Sequence, residues 1–239
     1  MRRVLALASL SAALLAGCVG TPTMQPAPAA VTAVDDNAAT WYGQAAAAGS
    51  VVLAIDPAQS LIAVTVRRGG ALAHLGHDHV VASRSVTGFV APAAGRADFS
   101  FRLDQMTVDE PELRREAALD TQPSDAAIAG TRTNMLTKVL EAERFALVAL
   151  HAEGVATDNR AGDPAGDQAM RLTITLHGVT CTLAAPTRIE RSADGITASG
   201  TLQLRQSDFG ITRLSVMGGA IAVLDTMELR FRIVARTMR

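Results

Sequence analysis

Cysteine is almost absent from this 239-residue chain, with only Cys18 and Cys181 present, which excludes a paired-cysteine metal motif. Neither charge sign dominates: 22 Lys and Arg stand against 23 Asp and Glu, and nothing in their spread suggests a nucleic-acid surface. Long apolar runs are missing too. The uncharged stretch Val4 to Leu15 falls short of the about 20 residues a bilayer-spanning helix needs. There is no Gly-x-Ser-x-Gly elbow, phosphate-binding loop or dinucleotide glycine pattern, and no repeat with a fixed period. These absences argue against the common enzyme classes.

The N-terminus carries the first positive signal. Arg2 and Arg3 precede the short apolar run, which ends in Leu15, Ala16, Gly17 and Cys18, and this reads as an export signal over residues 1–17. Small residues followed by cysteine resemble the bacterial lipobox, which makes Cys18 the expected lipidation site and membrane anchor. Val19 in place of an aspartate after Cys18 is similar to lipoproteins sent to the outer membrane. Cleavage removes both arginines and leaves 20 basic against 23 acidic side chains, a net charge of −3. Residues 18–49, rich in Ala, Pro, Thr and Gly, read as a tether too poor in apolar surface to offset the cost of ordering. Trp41 and Tyr42 are its exceptions, with docking and coincidence both open. Cys181 reads as a small buried hydrophobe.

Residues 50–239 form one domain dominated by period-two alternation. Ile62, Val64 and Val66 share one phase, as do Phe99, Phe101 and Leu103. Leu172, Ile174 and Leu176 form a third set, Leu202 and Leu204 a fourth, and Met227, Leu229, Phe231 and Ile233 a fifth. Asp194 and Gly195 offer a hairpin turn after a strand ending near Arg188. Beyond Gly178 the apolar phase moves from even to odd positions, to Val179, Cys181 and Leu183, so a bulge or tight bend is expected there. Asp109, Glu110 and Pro111 read as one helix start, and Ser124 and Asp125 as a second, leading to a helix that either caps a barrel opening or connects two strands. The fold class is all-β: consecutive antiparallel strands, one face apolar, closing on themselves or on a partner layer, with one or two helices inserted mid-chain.

The order of Ile55-Asp56, Gln59-Ser60, Gly88-Phe89, a helical segment ending in Asn134, Met135, Leu136 and Phe145, TLHGVT at Thr175 to Thr180, and RQSDFGI at Arg205 to Ile211 resembles the YceI-like family. That resemblance implies a lipocalin-like closed antiparallel barrel of about eight strands, exported to the periplasm, whose interior holds a polyisoprenoid or similar amphiphile. It implies no catalytic group and no cofactor. The five apolar sets named above would then be the ligand-binding wall. Gln59 stands where many relatives carry histidine, and Arg67-Arg68 with the stretch Gly69 to Ser83 replaces another.

Within that stretch lies His77-Asp78-His79, with His77 and His79 expected on one face of a strand. Three readings follow: a hydrogen-bonded corner turned at Gly76, a rim contact for a ligand head shared with His177, or a metal pair completed by His74, His151 or His177. The cupin version of the metal reading needs a glutamate four or five residues on, where Ser83 and Arg84 stand. The sequence thus points to a membrane-anchored lipid-binding protein, with a metal-binding barrel and a solidly packed structural lipoprotein as alternatives. Its pattern carries no signal of oligomeric state.

Overall fold

Alternating sequence becomes strand along most of the domain in the computed structural model, which describes residues 36–154 and 165–237. In chain order the strands are β1 (Leu53–Ile55), β2 (Leu61–Gly69), β3 (His79–Ser83), β4 (Thr87–Ala91), β5 (Arg96–Arg102) and β6 (Thr107–Val108). There follow β7 (Leu147–Gly154), β8 (Ala165–Leu176), β9 (Val179–Ser192), β10 (Gly195–Arg205), β11 (Ser215–Val216) and β12 (Ile221–Thr237). All pairings are antiparallel. A ring of eight runs β1, β4, β5, β7, β8, β9, β10, β12 and closes where Leu53 of β1 pairs with Thr237 of β12. From β12 the sheet also continues through β2 and β3 to β6. Every strand therefore has partners, and the ring has no free edge to manage.

The turns differ in detail from the sequence reading. Leu176 pairs with Val179, so His177 and Gly178 form a two-residue hairpin turn between β8 and β9, with φ of 53° and 74°. Left-handed values at both central positions belong to the hairpin turn whose twist matches its strands. The phase change at Gly178 is thus a reversal of chain direction. The next hairpin turns at Ala193 and Asp194, with β9 extending to Ser192 rather than stopping near Arg188, and Gly195 already lies in β10. A Cβ on Gly195 would come within 2.0 Å of the Ala235 carbonyl oxygen, so glycine there permits close approach to β12 rather than a turn.

Three helices lie on the barrel: α1 (Asp36–Ala47), α2 (Pro111–Glu116) and α3 (Asp125–Asn134), the last continuing as a π turn over Met135–Val139. Pro111 opens α2 at its first turn, and the Ser124 hydroxyl accepts the Ala127 N–H at the start of α3. Leu113 of α2 packs with Ala63, Val80 and Ala82 on the outer face of β2 and β3. Helix α1 was not foreseen. Residues 36–47 fall inside the stretch read as tether, yet Ala38 and Tyr42, four apart on one face, are buried with Val52 and Ala91 against the barrel. The export signal, Cys18 and the rest of the tether lie outside the described residues.

Candidate functional site

The inward faces of the ring and of β2 and β3 enclose two apolar chambers placed end to end, the larger of about 390 Å³ and the smaller of about 120 Å³. Ile62, Leu150 and Leu229 line both and form the waist between them. Of the wall positions read from alternation, Val64, Val66, Phe101, Leu103, Ile174, Leu176, Leu204 and Met227 face the larger chamber. Phe99, Leu172, Phe231 and Ile233 face the smaller. Leu202 is buried in the same core but reaches neither chamber. The barrel is therefore not filled by its own side chains, unlike the packed barrel of the structural alternative.

Helix α3 covers one end. Thr131, Met135, Val139 and Leu140 line the larger chamber from α3 and the π turn after it. Leu75 and Leu214 from loops and Val216 from the two-residue strand β11 complete its mouth, in segments too short to show a period, and these contributions escaped the sequence reading. Val148 and Leu150 on β7 escaped too, although their period-two spacing was visible.

The two imidazoles that line the larger chamber come from the His77-Asp78-His79 corner, with Thr131, Gln206 and Ser215 as further polar lining. Strand alternation sends His77 and His79 to the chamber and Asp78 away from it. Asp78 accepts the Arg68 N–H at 2.8 Å and a bond from Arg67 at 3.1 Å. Burial pushes the Asp78 carboxyl up, but these donors outweigh it and hold the group below the usual carboxylate range. His79 is fixed from the other side. Its Nδ1 lies 2.6 Å from Asp109 Oδ2 and its Nε2 lies 3.3 Å from Thr131 Oγ1. In the tautomer whose Nδ1–H donates to Asp109, Nε2 accepts from the Thr131 hydroxyl.

Asp109, read from the sequence as part of a helix start, has a fully covered side chain. It accepts from Arg114 at 2.6 Å and from the Val80 N–H at 3.1 Å, as well as meeting His79. Burial pushes its carboxyl up, and the bonds from His79, Val80 and Arg114 together bring it below the usual range. His77 differs from its neighbour. Its Nδ1 is buried and has no hydrogen-bond partner among the described residues, an atom that a bound molecule could satisfy. Arg68, the cation on this wall, is already held by the Gly76 carbonyl and by both oxygens of Asp120.

The other histidines lie away from this corner. His74 is exposed, and His177 rests in its turn with its ring 4.5 Å from Phe145, lining neither chamber. His151 bonds Asp98 at 2.6 Å on the outer wall. Among the described residues no group of three His, Cys, Asp or Glu is arranged to hold a metal ion. The metal reading of His77 and His79 thus gains no third ligand from the described residues. Cys181, partly buried, packs against the core and sets its sulfur 3.2 Å from the Asp208 carbonyl.

A family model described as the YceI-like domain matches residues 53–235. No curated protein matches the chain. Among solved structures, a polyisoprenoid-binding domain from Saccharophagus degradans, implicated in plant cell wall breakdown, is similar in fold. It superposes with a TM-score of 0.56 at 14% identity, over 79% of this chain and 99% of that one. BcnA from Burkholderia cenocepacia gives a TM-score of 0.49 at 14% identity, over 75% of this chain and 98% of that one.

Proposed function

The chain belongs to the YceI-like domain family, and from that premise we propose that it binds a polyisoprenoid or similar amphiphile, tail in the barrel and head at the His77 and His79 corner. The observation that carries this reading is the larger chamber: about 390 Å³, walled by aliphatic and aromatic side chains, with two imidazoles at its polar end. That volume falls within the roughly 300–1,000 Å³ common for small-molecule sites. Each methylene buried there contributes about 0.8 kcal/mol, so the tail supplies affinity while the corner selects the head. The similarity to a barrel named for polyisoprenoid binding points the same way.

The role is binding, with no catalytic residue assigned. The export signal and Cys18 support a lipoprotein held on the periplasmic side, at the outer membrane, with the tether giving it reach. Native mass spectrometry of protein purified from its own host, followed by lipid extraction, tests the reading. One amphiphile per chain is expected, displaced in part by His77→Ala. Protein that carries no stoichiometric lipid from its native membrane would sink the proposal.

A further inference from the structure

We propose that the loops framing the mouth of the larger chamber dock on a lipid bilayer, so that cargo passes between membrane and lumen without crossing water. This rests on the lipid-binding reading above. The loops are residues 69–77 and 209–224, and they lie side by side, the Leu72 N–H donating to the Ala220 carbonyl at 2.8 Å.

Apolar surface runs without a break from the lumen onto these loops. Leu75 is 60% exposed and Val216 46% exposed, yet both also line the chamber. Met217, beside them, is 69% exposed. Single exposed apolar residues are ordinary on a protein surface, but three gathered at the opening of an apolar cavity mark a place of contact.

The backbone holds the outermost of them in an unfavourable state. Met217 has φ of 52° and is followed by Gly218 at 66° and Gly219 at 91°. Glycine adopts such values freely, whereas a residue with a side chain is strained there. Met217 recovers little packing in return, since its side chain stands in solvent. A non-glycine residue kept at that point makes sense if the side chain is buried by something outside the molecule.

Charge selects the partner. Neither loop contains an aspartate or glutamate, and Arg213 is their one arginine, with His74 and His77 as the other titratable groups. Asp78 and Asp225, at the ends of these segments, are held by Arg67, Arg68, Arg205 and Ser207, and apolar segments that carry an arginine suit the boundary between anionic headgroups and acyl chains. A lipid-carrying lumen opening onto that face needs such a boundary to load and unload.

The test uses the full chain with Trp41→Phe, which removes its single tryptophan, and places one tryptophan at Met217→Trp or, as control, at Thr201→Trp on the outer wall of β10. Both proteins meet vesicles of brominated phosphatidylcholine mixed with anionic phosphatidylglycerol, and quenching is local, so attachment through the N-terminus does not produce it at position 217. Strong quenching is expected at 217 and little at 201. Leu75→Glu or Val216→Glu in the Met217→Trp protein should lower vesicle affinity about tenfold each, the value of one buried side chain of this size. Equal quenching at both positions, or none at 217, overturns the proposal. Lipid extracted from the same preparations separates the two readings. Bound amphiphile without quenching at 217 defeats docking and leaves the lumen reading standing, while quenching with an empty lumen upholds docking and defeats the carrier.

Discussion

Asp109 sets a covered carboxylate between His79, Arg114 and the Val80 amide, in a left-handed backbone conformation with φ of 58°. Removing one member of a buried ion pair leaves the other uncompensated, at a cost of about 3–5 kcal/mol. Asp109→Ala should therefore lower stability by about that amount in urea denaturation. Asp109→Asn, which tolerates the left-handed backbone, should cost less. The pH dependence has a definite sign. Because the carboxyl is held below its ordinary value, its contribution is complete above the unfolded value of about 3.9 and is lost as pH falls through the lower folded one. The gap between wild type and Asp109→Asn should then narrow in acid, and a gap that widens below pH ~4 would contradict this account.

Among the elements, α1 is held by a second carboxylate of the same kind. Asp98 accepts from Tyr42 at 2.8 Å and Arg96 at 2.7 Å and meets His151 at 2.6 Å, while the Arg96 guanidinium lies 4.5 Å above the Trp41 ring. Burial pushes the Asp98 carboxyl up, and its partners pull it below the usual range. Burial, then the Asp98 bond and charge, push the Tyr42 phenol well above its ordinary value. Docking is therefore complete above the unfolded carboxyl value of about 3.9 and below the unfolded phenol value of about 10, and fades only as pH passes the shifted folded values beyond them. Tyr42→Phe should weaken it by about 1.5–3 kcal/mol, the worth of a bond to a charged group. Limited proteolysis within α1 reads both effects, and cleavage insensitive to Tyr42→Phe would show the helix to be held otherwise. Little of this was legible in the sequence. Alanines around residues 45–48 resemble low complexity, and the group that anchors Tyr42 lies 56 residues away. The strands were legible because half-buried strands must alternate, and His77 and His79 because two residues separated by one share a face. Leu75 and Val216 were not, since a loop and a two-residue strand are too short to show a period.

For the molecule as a whole, alternation marked the wall but not the hollow, because a packed barrel and an open one have the same inward phase. The waist at Ile62, Leu150 and Leu229 makes tail length a property of the entire barrel. Leu150→Trp should overfill it at a cost of about 1–3 kcal/mol. Mass spectrometry of extracted lipid should then show shorter tails than in wild type. An unchanged distribution would mean that cargo never passes the waist. Asp98 and Asp109 bear on the same wall from outside, each pairing with an arginine and a histidine, one tying down α1 and the other α2. Most of the residues that secure the fold are distinct from those that line the lumen, His79 and Arg96 belonging to both. A lineage of such barrels can revise the inner wall one side chain at a time and acquire new contents, while the charged fastenings, and with them the architecture, pass down unaltered.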